Sequence, residues 1–307
     1  MDRIVDIATD GLHLSVLRGF LVVSEQRLET GRVPLDDVTA VIVHGHGVTW
    51  STNLVAALSE RGAPLVFCGA NHAPIAVCLP LDGHHAQNAH IRAQWEAGKS
   101  LAKQLWRRIV VAKIRWQAAV LDSQGHDVQA FDHLARKVGS GDPENVEAQA
   151  ARRYWPLLMG DGFRRDQNGD GANALLNYGY TVMRSLCARA VVAAGLHPSI
   201  GVHHANRGNP MALADDLMEP FRPVVDMLAV RLIAAGETCV SKGAKRAFAG
   251  LTAFDIPGDT GVTTLAMAAN RAAQTLAGCF QQGSSAGLIL PVPPSALELS
   301  ALESLVS

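Results

Sequence analysis

Over its first eighty residues the chain alternates apolar and polar positions with a period near two, interrupted by short polar turns. That pattern predicts strands at residues 4–8, 12–17, 20–26, 38–43, 65–68 and 74–79, with Asp10-Gly11 as a hairpin turn. Before the fifth of these, Ser51 is placed to cap a helix over 52–61 whose Leu54, Val55 and Leu58 face inward. At 80–88 (PLDGHHAQN) the texture changes to proline, glycine and polar residues, which reads as a linker. Beyond it the apolar period becomes that of a helix. Leu101, Leu105, Ile109, Ala112 and Trp116 predict one long helix from 91 to 121. Further helices are predicted over the segment NVEAQAARRYWPLL and over 172–194, 221–235 and 260–280, with 252–258 as a loop. Residues 283–307 carry Pro291, Pro293 and Pro294 before a short apolar helix, and read as a tail docked on this chain or on a neighbour. The fold class is therefore α+β: a β-rich part (1–80), a linker (81–90), a larger all-α part (91–282) and a proline-containing tail (283–307).

Composition narrows the class. With 307 residues, 48% hydrophobic and 18% charged, the chain has the makeup of an ordered protein of two domains. Its formal net charge of −1 gives no bulk attraction for nucleic acid, so any such binding has to come from local basic patches. The five cysteines are widely spaced without a CxxC pair, and read as reduced, mostly buried thiols of a cytoplasmic protein. Asp2, Arg3 and Asp6 interrupt the first apolar run, so no signal peptide is expected, and no run is long enough to span a bilayer.

Candidate chemistry concentrates in residues 201–226, GVHHANRGNPMALADDLMEPFRPVVD. Helical spacing places Asp215, Asp216 and Glu219 on one face, beside the apolar Met211, Leu217, Met218 and Phe221. Carboxylates next to such a stripe are costly to desolvate without a cation or a hydrogen-bond network. His203 and His204 precede them. Glu147 lies on an alanine-rich helix with Tyr154 on the same face. Carboxylates from two helices plus an imidazole make a hard, mixed N/O donor set, which suits Mg²⁺ or Mn²⁺ and phosphodiester chemistry. Arg222 and Asp226 are spaced to pair at i, i+4. Lys99, Lys103 and Arg107 recur every four residues, with Arg108, Lys113 and Arg115 nearby, as either a solvated face or a strip that contacts phosphates. Two patterns are set aside. His44 and His46 read as a turn, and residues 166–171 imitate a calcium loop but have Asn177 where its bidentate glutamate belongs.

Three separated motifs, EAQAARRYW, LLNYGYTVMRSL and AGLHPSIGVHHANRGNPMALADDLMEPFRPVVD, together with the β-rich start, resemble the CRISPR-associated integrase, the universal subunit of spacer acquisition, in its type II form. The resemblance runs over essentially the whole chain. It implies a β-sandwich-like N-terminal domain that dimerises and a larger α-helical catalytic domain. It also implies metal ligands at Glu147, His204 and Glu219, His204 being the histidine fifteen residues before Glu219, with Asp216, Tyr154 and His203 in support. The implied activity is metal-dependent DNA cleavage and the joining of prespacer 3′-hydroxyl ends to a CRISPR repeat. The implied partners are the prespacer duplex, the leader-repeat DNA, a second copy and a small ferredoxin-like subunit in a four-plus-two complex, with the type II effector nuclease as a further candidate. On this reading Arg92, Lys99, Lys103, Arg107, Arg164 and Arg165 contact DNA. A non-catalytic DNA-binding scaffold and a metal-dependent small phosphoesterase are the alternatives. The near-neutral charge and His197, where an aspartate is common, depart from the family pattern.

Overall fold

The computed structural model describes residues 3–69, 74–81, 86–204, 208–258 and 261–306. The N-terminal part holds β1 (Arg3–Ile7), β2 (His13–Leu17), β3 (Phe20–Glu25), β4 (Leu28–Pro34), β5 (Val38–Val43), β6 (Thr49–Trp50), α1 (Thr52–Glu60), β7 (Leu65–Cys68) and β8 (Pro74–Cys78). Among the described residues these strands form two four-stranded sheets, in the orders β1-β5-β7-β8 and β4-β3-β2-β6. In the first sheet β1, β5 and β7 run parallel and β8 closes the edge antiparallel. Ser51 caps α1, its hydroxyl accepting from the Leu54 amide at 3.3 Å.

Every residue of β5 is buried, because the strand has apolar neighbours on both faces. Val41 and Val43 join Ile7, Leu14, Leu54 and Leu65 in a core between the two sheets. Ala40 and Ile42 join Ile4 and Val66 in the main core with the helices. The β-rich part is thus built into the helical part along the outer face of its first sheet. Asp6 marks that junction. Its carboxylate takes a hydrogen bond from the Tyr178 hydroxyl at 3.0 Å and lies 3.1 Å from His44 Nε2 and 3.3 Å from Lys245 Nζ. His44 is therefore a junction residue, while His46 is exposed on the turn.

The remainder comprises α2 (Gln87–Glu96), α3 (Lys99–Asp122), α4 (Gln129–Lys137), α5 (Val146–Met159), α6 (Ala172–Ala193), α7 (Ala212–Met218), α8 (Arg222–Ala234), α9 (Lys242–Gly250), β9 (Asp255–Gly258), β10 (Gly261–Thr264), α10 (Leu265–Gln282), α11 (Ala296–Ser300) and α12 (Glu303–Val306). Helix α6 is central and buried along most of its length. At Gly179 a Cβ would lie 2.5 Å from Val225 Cγ1 and 2.6 Å from Phe248 Cε1, so the crossing with α8 and α9 needs glycine there.

Several expectations are corrected. The helix expected over 91–121 is two helices, because Ala97 and Gly98 are extended and glycine is a poor helix former. α2 starts at Gln87, inside the segment read as linker, whose residues 82–85 lie outside the described ones. Strand β4 was not expected: Gly31 and Pro34 break its alternation. The expected loop at 252–258 contains β9, which pairs with β10 in a separate hairpin. The helix expected to begin at Thr260, itself outside the described residues, begins at Leu265, where the Thr264 hydroxyl caps it. Of the five free cysteines only Cys187 and Cys279 are buried; Cys68 is intermediate and Cys78 and Cys239 are exposed. The tail docks on its own chain. Arg108 Nη2 donates to Leu288 O at 2.7 Å and Trp116 Nε1 to Pro291 O at 2.9 Å.

Candidate active site

The loop that carries both histidines is clamped from two sides. From α2, buried Gln94 donates to His197 O at 3.0 Å and Ile200 O at 2.7 Å and accepts from the His197 amide at 2.9 Å. From α7, fully buried Asp216 accepts the amides of Val202, His203 and His204 at 2.5, 3.0 and 3.2 Å. Asp216 also holds His204 Nδ1 at 2.5 Å. The chain passes so close that a Cβ on Gly201 would meet His204 O at 2.5 Å and Asp216 Oδ2 at 2.9 Å. The hydrogen bond to Asp216, opposed by partial burial and aided by the Asp216 and Glu219 charges, raises the His204 pKa. His203 stacks on Trp106 of α3 with ring centroids 4.1 Å apart, and His204 meets the same indole edge-on.

Glu219 lies at the end of α7, where Pro220 and Pro223 interrupt the α-helical bonding and a 3₁₀ turn leads into α8. Its buried carboxylate is held by two cations. Lys113 Nζ donates to Oε2 at 2.5 Å and Arg222 Nε to Oε1 at 2.8 Å. Burial pushes this carboxyl up, but Arg222 and Lys113 overcome it and bring the pKa down to about 2. Lys113 Nζ also donates to Glu147 Oε1 at 2.5 Å. The two bonded glutamate oxygens are therefore at most 5.0 Å apart, each being 2.5 Å from one ammonium. Burial works against the Lys113 charge, and Glu219 and Glu147 outweigh it, so its pKa is raised. Glu147 is set in place by Asp142, which caps α5 by accepting the amides of Val146 at 2.8 Å and Glu147 at 2.9 Å.

One turn deeper, Tyr154 donates to Asp226 Oδ2 at 3.1 Å and Tyr180 donates a short hydrogen bond to Oδ1. Burial raises the Asp226 carboxyl to about 6 despite the hydroxyls of Tyr180 and Tyr154. The Arg222 guanidinium lies 4.5 Å above the Tyr180 ring, between this node and Glu219. Beside the site opens a cleft of about 690 Å³, lined among others by His204, Arg165, Arg184, Arg222, Tyr180 and Asn209.

The acidic residues expected on one helix face divide three ways. Asp215 forms a two-pronged pair with Arg184 at 2.6 and 2.7 Å, Asp216 folds the histidine loop, and Glu219 meets Lys113. Arg222 pairs with Glu219, three residues back, rather than with Asp226. Lys113, grouped by its sequence with the exposed bases of α3, is 9% exposed and sits between two carboxylates. Its sequence did carry a signal: it falls four residues after Ile109 and three before Trp116, on the apolar face. Gln94 had no such signal. Of the bases expected on DNA, Arg92, Lys99, Lys103, Arg107 and Arg164 are exposed. Arg107 also donates to Val138 O at 2.8 Å, and Arg165 faces the cleft while bonded to Asn173 and Asn177.

Among the described residues no three His, Cys, Asp or Glu side chains are gathered tightly enough to chelate a metal. The donor chemistry nevertheless fits a hard divalent ion. Two carboxylates from separate helices already converge on one buried cation, and Asp216 fixes Nδ1 of the adjacent imidazole. An ion held by Glu147 and Glu219 would have to compete with the Lys113 ammonium for their oxygens.

The profile of the family described as CRISPR associated protein Cas1 matches residues 5–245. A CRISPR-associated endonuclease Cas1 from Neisseria meningitidis serogroup C is 38% identical over 229 residues, covering 74% of this chain and 75% of that protein. One from Pyrobaculum aerophilum is 32% identical over 241 residues, covering 72% and 79%. In fold the chain is similar to a casposase bound to integration product (TM-score 0.78, 20% identity, 91% of each chain covered). It is also similar to the Thermotoga maritima Cas1 protein (TM-score 0.66, 16% identity, 91% and 88% covered). The sheet-then-helix architecture and the three sequence motifs thus converge with these likenesses, and the chain belongs to the Cas1 family.

Proposed function

We propose that this chain is a metal-dependent DNA endonuclease and integrase of CRISPR spacer acquisition. The observation that carries this reading is the convergence of Glu147 and Glu219, from two helices, on one cation beside His204 and an arginine-lined cleft. Glu147, Glu219 and His204 would hold Mg²⁺ or Mn²⁺. When bound, such an ion supplies Lewis-acid polarisation of a phosphoryl oxygen. The chain's own residues do the rest. Asp216 engages Nδ1 of His204 and would thereby leave Nε2 as the nitrogen available to the ion. Arg165, which lines the cleft and is bonded there to the neutral amides of Asn173 and Asn177, would meet a phosphate flanking the scissile bond, while Arg184 and Arg222 are held by Asp215 and Glu219. In strand transfer the 3′-hydroxyl of the incoming duplex attacks phosphorus. One P–O bond forms, the P–O3′ bond of the target breaks, and the proton passes from the attacking to the leaving hydroxyl. Bond number is conserved, so no ATP is needed; with water as the nucleophile the same step is cleavage.

One solved neighbour in fold is a Cas6-RT-Cas1–Cas2 complex, and another is a TtCas1–DNA complex. These names support DNA and a small Cas2-type subunit as partners; the prespacer duplex, the repeat DNA, a homodimer through the β-rich part and a four-plus-two assembly are proposed on the sequence resemblance alone. Among the described residues no helix is long and apolar enough to cross a membrane, and the proposed setting is the cytoplasm, where the DNA is. The exposed Arg92, Lys99, Lys103, Arg107 and Arg164 would position the duplex.

The test is strand transfer of a labelled duplex with free 3′-hydroxyl ends into a supercoiled plasmid carrying a repeat. It uses Mg²⁺, Mn²⁺ or EDTA, wild type and Glu219→Ala, with and without the Cas2-type subunit. Metal-dependent transfer lost in the variant is expected. Absence of transfer from wild type in every arm would leave a DNA-binding scaffold, and turnover of small phosphoesters instead would indicate a phosphoesterase.

A further inference from the structure

Lys113 occupies the position that a divalent ion would share with Glu147 and Glu219, and its surroundings supply a second place for it. Its Nζ is 2.5 Å from an oxygen of each carboxylate and donates a hydrogen bond to both. Two carboxylates so close, one of them buried, repel each other strongly unless a cation lies between them. One helical turn further along α3, Gln117 is 3% exposed, and its Oε1 has no hydrogen-bond partner among the described residues. Residues four apart share a helix face with Cβ atoms about 5–6 Å apart, within reach of a lysine side chain. A buried amide oxygen without a donor is an acceptor waiting for one.

We propose that Lys113 is a resident counter-cation of the site, which an incoming divalent ion displaces from Glu147 and Glu219 toward Gln117 Oε1. The inference rests on the metal-dependent reading above. It makes Lys113 a positioning residue, holding the two glutamates at ligand spacing before metal arrives and competing with metal for them. No covalent step is involved: the ammonium exchanges two carboxylate acceptors for one amide oxygen, and the ion takes the carboxylates. Three consequences distinguish this from a structural ion pair. Removing the ammonium strengthens metal binding, a bulkier fixed cation weakens it, and removing the second acceptor weakens it only while Lys113 is present.

The experiment is Mn²⁺ titration of the full chain followed by electron paramagnetic resonance, paired with melting in EDTA and in Mn²⁺. The variants are Lys113→Met, Lys113→Arg, Gln117→Leu and the double Lys113→Met/Gln117→Leu. Lys113→Met is expected to lower Tm in EDTA, to show a larger Mn²⁺-induced rise than wild type, and to bind Mn²⁺ at least about tenfold more tightly. Lys113→Arg is expected to bind more weakly than wild type, because a guanidinium spans two carboxylates with several donors. Gln117→Leu is expected to bind about threefold to tenfold more weakly alone and without further effect in the Lys113→Met background. If Lys113→Met does not fold in EDTA, the order wild type, Gln117→Leu, Lys113→Arg still decides. Equal Mn²⁺ affinity in wild type and the lysine variants overturns the counter-cation role and leaves the metal reading standing. No saturable Mn²⁺ binding by any of the proteins overturns the metal reading, and this inference with it.

Discussion

Glu219 and Asp226 lie seven residues apart on one stretch of chain, both buried, yet their surroundings treat the charge in opposite ways. Burial is the largest influence on each and drives each pKa upward. Glu219 is answered by two cations, Arg222 and Lys113, and ends at about 2. Asp226 is answered by two phenol hydroxyls, Tyr180 and Tyr154, and ends at about 6. Hydroxyls satisfy the lone pairs without supplying charge, so they leave much of the desolvation cost in place. The lesson is that burial does not decide whether a carboxylate is ionised; its partners do. Glu219 stays anionic at any physiological pH, as its proposed role requires, while Asp226 serves as a hydrogen-bond hub. Arg222, paired with Glu219 and lying over the Tyr180 ring, ties the two together.

That contrast can be broken most severely at Glu219. Glu219→Ala should reduce strand transfer to the EDTA background, by at least about a thousandfold. Left with two buried cations facing fewer anions, it should also lower the unfolding free energy in urea by about 5 kcal/mol. Asp226→Leu should cost about 4 kcal/mol in the same melt, from two stranded phenol hydroxyls, while strand transfer per folded molecule falls less than tenfold. An Asp226→Leu protein as inactive as Glu219→Ala would show that the two carboxylates are one functional unit. The third effect is pH dependence measured in EDTA. The native state keeps the Asp226 proton up to about 6, whereas the unfolded chain releases it near 3.8. The native state therefore binds more protons between those values, and stability should fall as pH rises through that window, by up to about 3 kcal/mol. Glu219 acts oppositely. Its contribution is present above the unfolded value of 4.5 and is lost as pH falls toward about 2. Asp226→Asn should thus flatten the decline between about pH 4 and 6 while preserving the loss at lower pH. Smallest is Tyr180→Phe, expected to cost about 1 kcal/mol because the ring beneath Arg222 survives; a near-zero value would assign the hub to Tyr154 alone.

Much of this architecture was legible in the sequence because it is written in periodicity. Strand β5, helix α6 and the general change from sheets to helices all follow from apolar spacing. Other features leave no mark in periodicity. The break at Ala97-Gly98 depends on two extended residues inside a pattern that reads as continuous, and the β9–β10 pair is too short to establish a period. In the site, the sequence singled out the acidic and histidine residues but not how they divide. Asp215 and Asp216 are adjacent, so a helix turns them toward different partners, Arg184 and the histidine loop. Lys113 has the charge of a surface residue, although its spacing from Ile109 and Trp116 places it on the apolar face of α3. Gln94 acts through backbone groups of a loop more than a hundred residues away, which no local pattern reports.

The doubly covered strand β5 sets a clock for the whole molecule. It pairs with β1 along its length and with β7 at Val41, Ile42 and Val43, and its side chains alternate between the two cores. Solvent deuterium reaches the β5 amides when both cores part, whereas β8 and β4, edge strands among the described residues, can exchange by local fraying. The slowest exchange should therefore come from residues 41–43. Its rate should follow substitutions in either core, whether beneath the N-terminal sheets or deep among the helices.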